Sequence, residues 1–284
     1  MDGAKNNQAE KLRIEQMRKT AFENIAANAA LRLPTFKTMH ENDGTFVIVG
    51  GGPSLLGALP EVARRQKNGQ TIVAGNGANR LLREHGIVPD IAVFLDPQEV
   101  IANYVEDGEC GHTQYYVASI VHPKLLSKLR NADVRFFHTE IPDEIGEQYR
   151  AEIDKWGIIP QSLGGYGHTV SLRSVNLGHL LGYRIFRMFG VDSSYTKGSG
   201  DHAYVNARSV EPGAMQVRFD GKMYTCSPWM VVQADDFKKY HLQFHNLGCS
   251  LKALGYGIIP DMSRYLDRKR AAWLIWKTAK EMAA

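Results

Sequence analysis

The stretch Thr45-Phe-Val-Ile-Val-Gly-Gly-Gly-Pro-Ser-Leu-Leu56 constrains the fold of this chain more than any other. A β-branched, apolar run meets three glycines, then Pro53, Ser54 and a leucine-rich segment with helical spacing, which reads as strand, tight turn and helix start. Glycine lets a backbone approach a ligand closely, and proline suits a first helical position because its missing N–H would be unpaired there. The amides and dipole of the new helix then favour an anion such as phosphate. The turn is not a P-loop, since no Gly-Lys-Ser/Thr follows, and Leu55 stands where the dinucleotide fingerprint needs its third glycine. A purely structural turn is the alternative reading of this stretch.

The same unit recurs downstream. Thr71-Ile-Val-Ala-Gly-Asn-Gly-Ala-Asn79 is a second short strand ending in glycine and asparagine, followed by a helical segment to His85. Ile91–Leu95 reads as a third strand running into Asp96-Pro97, with Tyr115–Ser119 and Val134–His138 as a fourth and fifth. Short apolar strands alternating with helices predict an α/β, Rossmann-like, mostly parallel sheet with helices on both faces. Ligands on such sheets lie beyond the carboxyl ends of the strands, so the Gly50-Gly51-Gly52 turn, Asn76, Asn79 and Asp96 are candidate contacts. Each has a structural alternative: Asn76 and Asn79 as turn and cap residues, Asp96-Pro97-Gln98-Glu99 as a capping box.

From Gln161 a second glycine-rich loop, with Gly165, Gly167 and Thr169, feeds a helix to Leu181, and Arg184–Phe189 is a further strand. The loop suits a second anionic group, and small Ser174 and Gly178 predict a helix lying close to the sheet. His179 reads as packing or surface. Asp192–Tyr204 is a long polar loop placed as an active-site lid, carrying an acid, hydroxyls, a lysine and a histidine, in which His202 is the candidate general acid or base, with ordering of the loop as its structural alternative. Met215–Thr225 is a hairpin turning on Asp220-Gly221, the small β-hairpin of the fold, and a helix follows over about Met230–Asn246. Adjacent Asp235 and Asp236 point apart on that helix and read as a solvated first turn. His241 and His245 share a face at zinc-compatible spacing, but no glutamate follows His241 and no third ligand is evident in the sequence, so metal is disfavoured there.

Both ends are helical and basic: a segment over about residues 8–33 closed by Pro34, and one from Met262 onward with Arg264, Arg268, Lys269, Arg270, Lys277 and Lys280. These readings divide the chain into an N-terminal helical extension over 1–40, a Rossmann-like domain over 41–262, and a basic amphipathic helix over 263–284. The formal charge of +4 suits an anionic ligand and is too mild to call for nucleic acid. Cys110, Cys226 and Cys249 lack metal-ligand spacing and leave an odd count for disulfides, which predicts a reducing, cytoplasmic setting. No signal peptide and no transmembrane segment is read in the sequence, and a homo-oligomer stays open.

Taken in order, Phe46–Leu55, Gly86-Ile-Val-Pro-Asp-Ile-Ala-Val-Phe-Leu-Asp-Pro97, Gly167-His-Thr-Val170, Gly190-Val-Asp192 and Asp201-His-Ala203 resemble the motility-accessory-factor family. That family groups flagellin glycosyltransferases with archaeal 6-hydroxymethylpterin diphosphokinases, the MptE-like proteins. The Gly-Pro-Ser-Leu turn is also similar to that of bacterial sialyltransferases using CMP-sugars, although those have Asn where Asp96 stands and a histidine near the position of Val231 and Val232. The resemblance implies an activated nucleotide donor: Gly51, Gly52, Pro53 and Ser54 under its phosphates, Asn76 and Asp96 at the nucleoside or transferred group, Thr169 at an anionic group, and Ser194 or Tyr195 at the phosphate.

The leading expectation is a glycosyltransferase using a CMP- or UDP-linked nucleotide-sugar donor, with His202 or Asp192 assisting the acceptor. Its rival is pyrophosphoryl transfer from ATP to a hydroxymethylpterin-like alcohol, with Mg²⁺ held by Asp96 or Asp192. A third is a nucleic-acid-associated or non-catalytic nucleotide-binding module working through the basic ends. The acceptor, whether protein, glycan, small molecule or nucleic acid, leaves no mark in the sequence. A bulky residue at Gly52 is expected to abolish nucleotide binding with the fold intact.

Overall fold

The computed structural model describes residues 2–107, 111–139, 144–155, 161–163, 169–196, 202–203 and 213–282. In chain order the elements are α1 (Asp2–Ala29), β1 (Thr45–Val49), α2 (Leu55–Lys67), β2 (Thr71–Gly75), α3 (Ala78–Glu84), β3 (Ile91–Phe94), a 3-10 turn (Glu99–Tyr104), β4 (Gln114–Ala118), α4 (Pro123–Lys128), β5 (Asp133–Thr139), α5 (Glu144–Lys155) and β6 (Gln161–Leu163). Then follow α6 (Val170–Leu180), β7 (Ile185–Phe189), the hairpin β8 (Met215–Phe219) and β9 (Lys222–Cys226), α7 (Pro228–Asn246), β10 (Ser250–Ala253) and α8 (Ile258–Met282). Eight strands form one sheet in the order β10-β7-β1-β2-β3-β4-β5-β6, parallel in every pair whose register is described. The chain winds outward from β1 to β6 and then returns to lay β7 on the other side of β1. The strand order therefore reverses between β1 and β7, the place where open α/β sheets leave a crevice for ligands.

Two compact units divide the chain: residues 1–39 with 74–165, and 40–73 with 166–284. In the first, α1 buries Ala21 and Ile25 against Tyr149 and Ile153 of α5, with Phe22 edge-on to Tyr149. Two buried amides of the same helix face secure it. The Asn24 side chain donates to the carbonyls of Pro97 and Ile120, and that of Asn28 to those of Ser119 and Val121, at 2.7–3.0 Å. Four loop carbonyls that would otherwise be buried without donors are thereby satisfied.

In the second unit, Phe46, Val47, Ile48 and Val49 of β1 are fully buried between helices. α6 crosses β1 and β7 at close range, as small Ser174 and Gly178 predict: a Cβ at Gly178 would lie 2.7 Å from ring carbons of both Phe46 and Phe186. The hairpin turns on Asp220 and Gly221, both at positive φ, as expected of that dipeptide. Lys222 and Tyr224 of β9 bond Asp261, and Arg268 bonds Asp220, so the hairpin is fastened to α8. Asp236 is buried and Asp235 exposed, both paired with Lys239. His179 packs edge-on to Phe244. Among the described residues no helix is long and apolar enough to cross a membrane.

Two glycines make opposite predictions. Gly178→Val forces two aromatic rings to move and is expected to cost about 1–3 kcal/mol in urea unfolding. Gly57, inside α2 with nothing within 4 Å of a built Cβ, takes alanine freely, and Gly57→Ala is expected to add about 0.5–1 kcal/mol in the same assay.

Candidate active site

Past the ends of β1 and β7 the two backbones go on pairing. The Gly50 amide donates to the Phe189 carbonyl at 2.8 Å and the Gly52 amide to the Gly190 carbonyl at 2.7 Å. A Cβ at Gly50 would lie 2.6 Å from the Gly190 carbonyl oxygen, and one at Gly52 would lie 2.7 Å from Asp192 Oδ2. Gly190, at φ +61°, faces the Gly50 carbonyl at 2.4 Å from its built Cβ. These glycines are demanded by one backbone lying on another. A bulky residue at Gly52 therefore disturbs the fold itself, contrary to the expectation that it would remove only a ligand.

Ser54 precedes the first turn of α2, and its partner is Asp192. The Ser54 amide donates to Asp192 Oδ2 at 2.7 Å and its hydroxyl to Oδ1 at 2.5 Å. The anion at this helix start is thus one of the chain's own side chains. Asp192 is only 3% exposed, walled in by Gly257, whose built Cβ would lie 2.6 Å from the Asp192 carbonyl oxygen. Burial pushes its carboxyl up to about 6, against the lowering effect of the two Ser54 hydrogen bonds.

The segment after Asp192 is held from several sides. Ser193, at φ +51°, donates its hydroxyl to Gln233 Oε1 on α7 at 2.6 Å, and Gln233 Nε2 donates to Thr169 Oγ1 at 3.3 Å. Thr169 is the N-cap of α6, accepting from the Leu172 amide. The Tyr195 amide donates to the Thr225 carbonyl, and the Tyr195 hydroxyl meets Ser227 Oγ at 2.5 Å. Farther along, the Ala203 amide donates to the Gly51 carbonyl at 2.8 Å, which holds the neighbouring, half-buried His202 beside the glycine turn.

In the first unit, Asn76 takes a left-handed φ of +45° at the end of β2, donates its amide to Val93 and accepts from the Leu95 amide through Oδ1. Asn79 is fully buried, with Nδ2 on the Tyr104 carbonyl and Oδ1 accepting from Arg83. Asp96 Oδ1 accepts from the Gln98 amide two residues on, in an Asx turn. The capping box is not formed: the 3-10 turn begins at Glu99, whose carboxylate bonds Lys124 at 2.7 Å.

The structure thus brings Gly51, Gly52, Pro53 and Ser54 together with Asp192 and His202, and links Thr169 to the same cluster through Gln233. The other candidates already have partners within the chain. Ser54 spends both donors on Asp192, so neither is left for a phosphate, and both oxygens of Asp192 are taken by Ser54, which disfavours it as a Mg²⁺ ligand. Thr169 Oγ1 is spent on capping, the Tyr195 hydroxyl on Ser227, and Asn79 is closed off. Ser194 is buried at 5% exposure. Asp96 is outside the group of three potential ligands found among the described residues. Gly165, Gly167 and residues 197–201 and 204 of the lid lie outside those residues. Sequence reading missed Gln233, Gly255 and Gly257; only the Gly255-Tyr-Gly257 pair leaves a trace, as a break between a strand and a helix.

A carboxyl that holds its proton more tightly in the folded chain contributes full stability below pH about 4 and loses it as pH rises. With Asp192 moved from 3.8 to about 6, wild type is expected to lose up to about 3 kcal/mol between those pH values through this group. Asp192→Asn has no such proton to lose. Urea unfolding from pH 4 to 7 checks this: the wild-type-minus-variant difference is expected to fall with pH, and a flat difference contradicts it.

Comparison with known proteins fits this architecture. Among solved structures, the MAf glycosyltransferase from Magnetospirillum magneticum AMB-1 superposes with a TM-score of 0.58 at 17% identity, covering 85% of this chain and 38% of that one. At that identity the likeness is one of fold, and the present chain spans little more than a third of the other's length. Curated proteins yield no match. A family model described as 6-hydroxymethylpterin diphosphokinase MptE-like matches residues 19–198, well over half of the sequence, and the chain belongs to that MptE-like family.

Proposed function

We propose that the protein is a transferase acting on a nucleotide-activated donor, with a sugar linked to CMP or UDP as the transferred group. What carries the reading is the meeting, at the strand-order reversal, of the Gly51–Ser54 turn with Asp192 and with the His202–Ala203 segment. The amides of Gly50, Gly52, Ser54 and Leu55 are all bonded within the chain. Phosphate binding therefore falls to the next amides of α2. Ser54 makes no side-chain cap bond to its own helix, so the amides of Leu56 and Gly57 have no cap from that residue, and Leu56 is exposed.

In the transfer, an acceptor hydroxyl attacks the anomeric carbon, the bond from that carbon to the phosphate oxygen breaks, and the phosphate leaves with the electron pair toward α2. The acceptor proton goes to His202, since both oxygens of the buried Asp192 are bonded to Ser54. The resemblance to glycosyltransferases in sequence motifs and fold supports a sugar as the group moved.

Pyrophosphoryl transfer from ATP to a hydroxymethylpterin-like alcohol is the second reading, favoured by the description of the family itself. Calorimetry with CMP-, UDP- and GDP-sugars and with ATP separates the two. Tight binding of one nucleotide sugar, with acceptor-dependent release of its nucleotide, is expected. AMP release from ATP, Mg²⁺ and a pterin alcohol would establish the second reading, and no binding to any of these ligands would remove both. His202→Ala is expected to lower kcat about 10²-fold or more with the donor Kd within a few-fold of wild type.

A further inference from the structure

The sequence places His241 and His245 one turn apart on α7 without a third ligand, and the fold supplies one. Asp267 of α8 lies against both rings, with Oδ1 at 3.3 Å from His241 Nε2 and 3.7 Å from His245 Nε2. Among the described residues the ligand atoms of these three side chains fall within 4.8 Å of one another. We propose that His241, His245 and Asp267 form a binding site for a divalent transition ion of the zinc class, which clips α8 to α7.

Three observations carry this. The two imidazole-to-carboxylate spacings fit, because a tetrahedral ion with bonds of about 2.0–2.2 Å keeps its ligand atoms about 3.3–3.6 Å apart, and the two imidazoles lie within 4.8 Å of each other. The donors fit as well: two imidazoles and one carboxylate are a zinc-type set, and three protein ligands leave one position for water. Finally, the site is short of hydrogen-bond partners in the way a cation would correct. His245 Nε2 is buried with no hydrogen-bond partner among the described residues, while it faces the carboxylate oxygen that His241 Nε2 also addresses. One carboxylate oxygen serves two imidazole nitrogens, whose rings are in contact at 4.4 Å between centroids.

The surroundings set the affinity. Lys252 Nζ lies 3.8 Å from Asp267 Oδ2 and opposes a cation, but its side chain is 49% exposed and can turn to solvent. His241, at 1% exposure, is fixed by the packing of α7 and needs little ordering on binding. Gln233, which reaches Thr169 and Ser193, lies two turns earlier on the same helix, about 12 Å along its axis. An ion here fixes the helix that carries Gln233 without touching the transfer site, so the proposal stands apart from the proposed reaction.

The test uses the tag-free full chain, stripped with chelator and titrated with Co²⁺ and Zn²⁺ alone. Wild type is expected to take up one equivalent of Co²⁺ with visible bands of a four- or five-coordinate site and without the intense near-ultraviolet band of thiolate ligation. Saturating Zn²⁺ is expected to raise its unfolding midpoint by about 5 °C or more. His245→Ala and Asp267→Asn, both at partly exposed side chains, are expected to fold and to lose the bands and the thermal response. If His245→Ala fails to fold, Asp267→Asn alone decides. A wild-type protein that shows neither response overturns the proposal, as does a folded variant that keeps both.

Discussion

The interaction on which the second unit depends is a buried carboxylate held by one serine. Asp192 at the end of β7 and Ser54 at the start of α2 share two short hydrogen bonds in a place almost closed to water. Desolvating a carboxylate is costly, and removing a partner from such a group costs more than the pair contributes when intact. The pair therefore acts as a register pin. The turn after β1, the turn after β7 and the loop before α8 must all arrive in one arrangement for the charge to be satisfied, and the glycines at 50, 52, 190 and 257 are the positions where side chains would prevent it.

That pin could not have been read from the sequence, although much around it could. β1 and β2 end where their glycines predict, and α6, the hairpin and α7 appear within a few residues of their periodic patterns, because each is a local signal of apolar spacing and turn chemistry. β10, with alternating Ser250, Leu251, Lys252 and Ala253, is a short edge strand whose polar face looks like loop, and β6 has only three residues. The glycine turn is legible as a turn, but not what it makes room for. A missing Cβ serves close approach of a phosphate and close approach of another backbone equally well, and nothing local distinguishes them. Ser54 and Asp192 are 138 residues apart, so a helix start expected to receive an outside anion gave no sign that the chain brings its own. Glu99 shows the same limit: its spacing fits a capping box, while its partner, Lys124, is 25 residues away.

α7 gathers several of these long-range connections. Its first half sends Gln233 to Thr169 and Ser193, its middle packs Phe237, Tyr240 and Phe244 into the core, and its last turns carry the histidines that face Asp267. Its buried positions recur at helical spacing, so the helix is legible in the sequence, while its individual polar contacts, made to distant segments, are not. Gln233 and His241 bind it to other elements, and Asp236, which reads as part of a solvated first turn, is buried.

The pairing of β1 with β7 sets a timetable for synthesis. Thr45–Val49 leaves the ribosome early, yet its neighbour Ile185–Phe189 is made some 140 residues later. Most of the first unit, from residue 74 to 165, is already translated by then, and its strands pair with near neighbours in the chain. β2 covers one edge of β1 soon after synthesis, while the other edge waits for β7 and until then is open to aggregation and to chaperones. The yield of folded chain is therefore expected to depend on how well the open edge of the newborn Phe46-Val-Ile-Val49 segment is shielded until β7 arrives.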